Sequence, residues 1–147
     1  MAMKFGDGIF QGVLGNFNEE SAESLSNEFG AYLMDGETVT TGFRLVRDVM
    51  LITNRRIISF DKQGATGQKM RVDSIYLESI YHVTAETAGF GMDDSELAID
   101  YITTPYLKSN TAQYASKKFE FPKKYNVQDL YRLLQDLAYQ NYKNMNG

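Results

Sequence analysis

The chain contains no cysteine among its 147 residues. Disulfide bridges, cysteine-ligated zinc or iron–sulfur centres and thiol nucleophiles are therefore excluded together. The absence also fits a reducing compartment. The fold must be held by packing, hydrogen bonds and ion pairs, and a chain of this length can bury a core without covalent staples.

Histidine is almost absent as well, since His82 is the only one. A metal site or a catalytic triad would need further ligands, or a nucleophile, in a recognisable pattern. A single histidine in a strand is instead typical of a polar surface position. The carboxylates Asp93, Asp94 and Glu96 lack the alternating oxygen spacing of a calcium loop. We therefore expect no metal site, no cofactor and no enzymatic activity.

Long apolar runs are also missing, and the N-terminal sequence MAMKFGDGIFQGVLGNF is interrupted by glycines. A secretory signal needs an unbroken apolar stretch, so we expect a cytoplasmic protein. These glycines do not form a phosphate loop, because no strand precedes them and no Gly-Lys-Ser/Thr motif follows. The apolar residues Phe10, Val13, Leu14 and Phe17 favour packing on this domain or on a neighbouring subunit over membrane insertion.

Basic residues are scarce relative to acidic ones, 15 against 19, which gives a net charge of −4 and a pI near 5.0. This balance opposes binding to nucleic acid and disfavours contact with an anionic membrane. Tyrosine and phenylalanine are plentiful, at 10 and 9 residues, and they suit half-buried strands. With 43% hydrophobic residues, the composition predicts one globular domain over residues 1–147.

Periodicity divides this domain into an N-terminal arm and helix at 1–34, a strand region at 35–122 and a C-terminal helix at 126–143. The first helix is predicted from apolar residues at helical spacing over 22–33. Asn18 is its predicted N-cap and Gly30 its predicted stop.

Seven short strands are predicted in the middle region, from a period of two and from the turn residues between them. They cover 39–43, 49–52, 56–60, 70–72, 80–85, 96–102 and 115–121. Such strands leave open edges unless they curl into a barrel or sandwich, whose end an amphipathic helix can cover. The predicted fold class is therefore mainly β, an antiparallel seven-stranded barrel or sandwich capped by a C-terminal helix, with a short N-terminal helix.

The C-terminal helix has the plainest pattern. Asn126 and Asp129 form a capping-box arrangement at its start. Its apolar stripe consists of Val127, Leu130, Leu134, Leu137 and Ala138, and the opposite face, with Arg132 and Gln135, is predicted to face water. We expect the stripe to pack against the strands.

Several segments together resemble a known family. They are RLVRDVMLITNRRIISFDKQGATGQK at 44–69, VTAETAG at 83–89 and MDDSEL at 92–97. They resemble the core signature of the bacterial pleckstrin-homology-like (PH-like) family, formerly a domain of unknown function. The resemblance implies seven strands followed by one helix and no catalytic activity. It also implies a cyclic homo-oligomeric ring, roughly a pentamer, that contacts an unknown protein partner.

Charged residues in the first hairpins raise the question of a ligand. In eukaryotic relatives of the fold, basic residues on the first two strands bind inositol phosphates, and Arg44 and Arg47 flank the corresponding turn. Asp48 and Asp61 stand among these bases, so ion pairing would consume much of the positive charge. We therefore predict a hydrophilic protein-interaction surface, formed by Arg44, Arg47, Asp48, Asn54, Arg55, Asp61 and Lys62. The alternative is binding of acidic-phospholipid or phosphoinositide headgroups at the inner membrane surface.

Overall fold

The computed structural model of the chain describes residues 22–63, 69–87, 94–123, 125 and 127–147. In this part of the chain the helices are α1 (Ala22–Phe29) and α2 (Val127–Asn146). The strands are β1 (Val39–Arg44), β2 (Asp48–Thr53), β3 (Arg56–Gln63), β4 (Lys69–Tyr76), β5 (Ile80–Glu86), β6 (Ser95–Ile102) and β7 (Tyr114–Phe121). The residues group into two compact units, an N-terminal unit that ends at Ser74 and a C-terminal unit that begins at Ile75.

The N-terminal unit is an antiparallel sheet in the order β1-β2-β3-β4, with α1 packed on one face. Leu51 in β2 lies opposite Gly42 in β1 and Ile58 in β3, so these residues share that face. Side chains from α1 and from the sheet form one buried cluster. Its members are Leu25, Phe29, Val39, Leu51, Ile58 and Phe60.

Gly42 allows α1 to approach β1 closely. A Cβ atom at this position would lie 2.8 Å from Leu25 Cδ1 and 2.7 Å from Leu51 Cδ2, which is too close for either contact. The alternation predicted for β1 is therefore incomplete, since Thr40 and Gly42 are buried together with the apolar residues of the strand. A strand buried on both faces does not show a period of two.

The C-terminal unit is an antiparallel sheet in the order β5-β6-β7. The period of two predicted for β6 places Leu97, Ile99 and Tyr101 on one face and Ala98 and Asp100 on the other. Leu97 and Ile99 are buried and Ala98 and Asp100 partly buried, as predicted, whereas Tyr101 is also only partly buried. Helix α2 packs on this sheet, mainly against β5. Leu130, Leu134 and Leu137 are its buried anchors, as the stripe predicts.

The polar residue Asn141 fixes α2 to the start of β5. Its side chain is buried and donates hydrogen bonds from Nδ2 to the carbonyl oxygens of Leu77 and Ile80, at 2.7 and 2.9 Å. Those carbonyls belong to a 3-10 turn (Leu77–Ser79) and to the first residue of β5. Buried carbonyls need hydrogen-bond donors, so the Asn141 amide fixes the position of α2 along its axis relative to β5.

The strand predictions are confirmed, and the largest differences lie at element ends. β4 begins before the predicted segment and continues to Tyr76, and α2 extends to Asn146. The first helix ends at Phe29, in agreement with Gly30 as its stop. Arg132 is exposed as predicted, whereas Gln135 is half-buried. The predicted caps Asn18 and Asn126 lie outside the described residues.

Among the helices that the structure describes, none is both long and apolar enough to cross a membrane.

Truncation of Leu134 tests the docking of α2. The side chain is fully buried, so Leu134→Ala is expected to lower the free energy of unfolding by about 2–5 kcal/mol. The matched control is Arg132→Ala, since that side chain is 73% exposed and its nearest carboxylate oxygen, on Asp129, is 4.0 Å away. The control should change stability by less than about 0.5 kcal/mol. Equal urea midpoints for the two variants would show that the helix is not docked through Leu134.

Candidate binding surfaces

A buried ion pair lies in the N-terminal unit, at the end of the sheet where β2 turns into β3. The guanidinium of Arg56 donates from Nε to Glu37 Oε2 at 2.8 Å and from Nη2 to Glu37 Oε1 at 2.9 Å. The Glu37 side chain is completely buried and that of Arg56 is 11% exposed. Two parallel charge-assisted bonds of this kind fix the relative orientation of both groups.

The same carboxylate accepts two further hydrogen bonds. The Met34 amide donates to Oε1 at 3.0 Å, and the Thr53 hydroxyl donates to Oε2 at 2.7 Å. Arg56 in turn donates from Nη1 to Ser74 Oγ and from Nη2 to the Tyr32 carbonyl. The pair therefore joins the segment after α1, the β2–β3 turn and β4 in one network.

This network shifts the titration of Glu37. Burial is the largest influence and alone would raise the pKa of the carboxyl group, because it penalises the charged form. The hydrogen bond from Arg56, together with those from Met34 and Thr53, outweighs burial and lowers the pKa from 4.5 to about 2. The carboxylate is therefore ionised at neutral pH.

The predicted hydrophilic surface is divided between the two ends of the N-terminal sheet. Arg44, Arg47 and Asp48 lie at the β1–β2 turn, and Asp61 is the register partner of Asp48, with Lys62 next to it. Asn54 and Arg55 follow the last residue of β2 and therefore lie at the opposite end. Asp48 and Asn54 are six positions apart along β2, which corresponds to about 20 Å. This distance is too long for one small-ligand pocket, whereas a protein interface of ordinary size could span it.

The group at the β1–β2 turn has mixed charge. Arg44 forms an ion pair with Glu28 of α1, and both side chains are about half exposed. The Ser59 hydroxyl lies 3.5 Å from Asp48 Oδ2, and Asp48 and Asp61 face each other across β2 and β3. Acidic groups therefore alternate with Arg47 and Lys62, which suits a protein contact better than a phosphate pocket.

The two residues at the opposite end contact the turn before β1. Asn54 accepts a hydrogen bond from the Thr38 amide and donates one to the Gly36 carbonyl. Gly36 has a φ of +80°, which favours glycine, and a Cβ atom there would lie 2.8 Å from Arg55 Nη2. The Asn54 side chain thus has a structural role in holding this turn.

The outward face of the C-terminal sheet is acidic at one end. Glu86, Glu96 and Glu120 are register partners across β5, β6 and β7, so their side chains share one row. Asp100 lies on the same face of β6 and faces His82 and Ser116. Lys118 is the basic register neighbour on this face, and its Nζ lies 3.3 Å from Glu96 Oε2.

Tyrosines occupy the other end of the same face. Tyr81 and Tyr114 pack edge to face with ring centroids 5.1 Å apart. They line an open cleft of about 410 Å³ between the start of β5, the β6–β7 loop and the last turn of α2. Its other lining residues are Ile102, Leu107, Lys108, Ser109, Ala112, Tyr142, Met145 and Asn146. Burial, followed by the nearby charge of Asp100, raises the pKa of Tyr81.

His82 is exposed and lines a second open cleft, of about 490 Å³, between β5 and the N-terminal half of α2. Val83, Thr84, Gln128 and Tyr131 are among its other lining residues. The described residues include no group of three or more histidine, cysteine, aspartate or glutamate side chains placed to hold a metal ion. Of the predicted acidic group, Asp93 lies outside the part of the chain that is described.

Sequence reasoning missed both the buried pair and the acidic row. Glu37 precedes its strand and has no periodic signal, and Arg56 is predicted only as one of several basic residues on the first strands. The acidic row depends on the registers of β5 with β6 and of β6 with β7, which no local pattern contains. The alternation in β6 did place Asp100 on the polar face, and this was the one available signal.

Comparisons with known proteins agree with this fold. The profile of the family described as "Bacterial PH domain" matches residues 8–138. The chain is 42% identical over 92 residues to the uncharacterized protein YjqA of Bacillus subtilis, a match that covers 63% of this chain and 74% of that protein. The chain therefore belongs to the bacterial PH domain family, as the resemblance of its hairpin segments predicts.

Solved structures lead to the same conclusion. A pleckstrin homology domain from Shewanella amazonensis is 30% identical with a TM-score of 0.62, and the match covers 89% of this chain and 98% of that one. A DUF1696 family protein with a pleckstrin-homology domain from Shewanella loihica is 29% identical with a TM-score of 0.60, covering 82% and 95%. A PH-domain-containing protein from Exiguobacterium sibiricum, 21% identical with a TM-score of 0.61 and covering 86% and 65%, supports the fold alone. The predicted mainly β, PH-like fold class is confirmed.

The Glu37 titration yields a pH prediction. Because folding lowers this pKa, the stability it contributes is fully present above about 4.5 and is lost as the pH falls towards 2. The difference between the two pKa values, 4.5 and about 2, corresponds to about 3 kcal/mol in the free energy of unfolding. Between pH 5 and pH 2 the natural protein should lose about that much more stability than Glu37→Gln, which cannot titrate. Urea unfolding of both proteins across this range measures the difference, and parallel curves would contradict the assignment.

Proposed function

We propose that this chain is a non-enzymatic assembly and interaction module that forms a cyclic homo-oligomeric ring of about five copies and presents a hydrophilic surface to a protein partner. Fold-level similarity to PH-domain proteins supports a binding role. Two observations support the ring: the resemblance to the family, and the open edges of the C-terminal sheet.

The observation that supports the proposal most directly is that, in the part of the chain that the structure describes, the two outer strands of the C-terminal sheet each have one unpaired edge. Within the described residues, β5 and β7 each pair with β6 alone. An unpaired strand edge is a template for pairing with another chain. A head-to-tail contact between copies uses two different edges and closes into a ring when the rotation permits.

The two edges differ in their protection. β7 carries adjacent lysines, Lys117 and Lys118, a common device against edge-to-edge pairing. β5 has no lysine, and His82, Thr84 and Glu86 are exposed along it. We infer that β5 is the edge more open to a neighbouring copy. The apolar residues of the N-terminal arm would add contact area.

The partner surface in this proposal is the mixed-charge group at the β1–β2 turn. Its interleaved acidic and basic residues favour a specific contact with a complementary protein surface, because wrong partners place like charges together. Arg47 is exposed at the turn and Lys62 at the end of β3. The exposed positive charges of these two residues also support the alternative function, which is binding of acidic lipid headgroups.

Light scattering coupled to size exclusion tests the ring. The expected mass is a multiple of 16.7 kDa, about five-fold by the family resemblance. Thr84→Lys adds a lysine to the exposed β5 edge and should shift the mass towards the monomer, whereas Thr111→Lys in the exposed β6–β7 loop should not. A concentration-independent mass of 16.7 kDa for the natural protein would show that it is a monomer and would contradict the ring.

Charge reversal of Arg47 separates the two candidate functions. If the β1–β2 turn contacts protein, Arg47→Glu should alter assembly or partner capture and leave co-sedimentation with anionic vesicles near background. Arg132→Glu, also at an exposed arginine, is the control for the change in net charge. Tight, headgroup-selective vesicle binding that is lost in Arg47→Glu and kept in Arg132→Glu would favour the lipid function instead.

A further inference from the structure

The tyrosine cleft of the C-terminal unit has the composition of a docking site. Tyr81, Tyr114 and Tyr142 line it and are 38%, 61% and 54% exposed. Ile102 and Leu107 contribute apolar lining. Tyrosine is enriched at protein interfaces, where its ring packs and its hydroxyl stays hydrated. Its π-face also attracts cations, most often the guanidinium of arginine.

The charge next to the cleft indicates what kind of partner fits. Glu86, Glu96 and Glu120 form one row across the sheet, and Asp100 lies between that row and the tyrosines on the same face. Lys118 pairs with Glu96, whereas Glu86, Asp100 and Glu120 have no ion-pair partner among the described residues. Like charges directly opposite on neighbouring strands are unfavourable, and a bound cation would relieve them.

The two ends of this face are spaced for one short extended segment. Glu96 and Ile102 are the β6 residues in the acidic row and at the tyrosine end, and they lie six residues apart. At the strand repeat this is about 20 Å, the span of an extended hexapeptide. Such a segment can place one side chain in the cleft and others beside the carboxylates.

We propose that this face, formed by the tyrosine cleft and the adjacent acidic row, binds an extended arginine-bearing segment of a protein partner. Arginine fits better than lysine, because its planar and weakly hydrated group stacks on aromatic rings and pairs with two carboxylate oxygens at once. Lys108 also lines the cleft and is exposed; its charge opposes any cation, so stacking on the rings and the adjacent carboxylates must outweigh it. The acidic row repels phosphates, so nucleic acid and anionic lipid do not fit this face.

This surface lies on the C-terminal unit and goes beyond the proposed function, whose partner surface is the β1–β2 turn. It uses the outward face of the sheet and leaves the strand edges available. Binding of a basic segment here therefore does not require the ring, and the ring does not require this binding.

Titration of the full chain with hexa-arginine amide tests the proposal, with hexalysine amide as the second probe. Calorimetry at about 0.15 M salt, where charges more than about 8 Å apart are screened, gives the dissociation constants. We expect saturable binding of hexa-arginine that is tighter than that of hexalysine. Glu86→Gln/Glu120→Gln should weaken it roughly three- to tenfold. Tyr114→Ala should weaken it two- to fivefold, roughly, and reduce the preference for arginine.

The matched control is Glu78→Gln/Asp136→Asn, which removes the same charge from two exposed residues off this face. It should change the affinity less than about twofold. Equal weakening by the two double variants would show attraction to net charge alone and would overturn the site, as would the absence of saturation. A fall in oligomeric mass as the peptide binds would assign the face to contacts between copies, which also overturns it.

Discussion

The ion pair between Glu37 and Arg56 links the connection between α1 and β1, the β2–β3 turn and β4 of the N-terminal unit. Arg56 donates to the Tyr32 carbonyl and the Glu37 carboxylate, both in the connection between α1 and β1, and to the Ser74 hydroxyl in β4. One guanidinium of β3 therefore joins two other segments of the unit. A buried pair adds little net stability over well-packed apolar side chains, because both charges lose their hydration. The pair instead fixes how these segments are oriented. An apolar replacement would leave the Met34 amide without its acceptor, and the Thr53 hydroxyl would be left with the Arg56 carbonyl as its acceptor, at 3.1 Å.

Local patterns in the sequence predict most of the elements of this fold. The alternation of β6 and the leucine stripe of α2 depend only on near neighbours, and both appear as predicted except at Tyr101. Two buried polar residues escape the same method. In the sequence, Asn141 looks like a solvent-facing helix residue and Glu37 looks like a loop carboxylate. Their partners are distant in the chain. The carbonyls that Asn141 binds are 61 and 64 residues away, and Arg56 is 19 residues from Glu37. Sequence periodicity carries no information about such partners.

Distance along the sequence also fails to predict which residues share a candidate surface. Asp48 and Asn54 are close in sequence, yet β2 separates them by its own length. Glu86, Glu96 and Glu120 are far apart in sequence, yet register aligns them on one face. The outcome is a mixed-charge turn on the N-terminal unit and an acidic, tyrosine-bearing face on the C-terminal unit. Both suit protein partners, and the second is unsuited to anionic membranes or nucleic acid.

We propose that this bacterial PH domain works through assembly and protein contact rather than through lipid. Sedimentation velocity of the full chain, with and without phosphatidylglycerol vesicles, tests both parts of the claim in one experiment. The account predicts a single species several times heavier than 16.7 kDa whose boundary is unchanged by the vesicles. A 16.7 kDa species that is depleted from solution by the vesicles would contradict it.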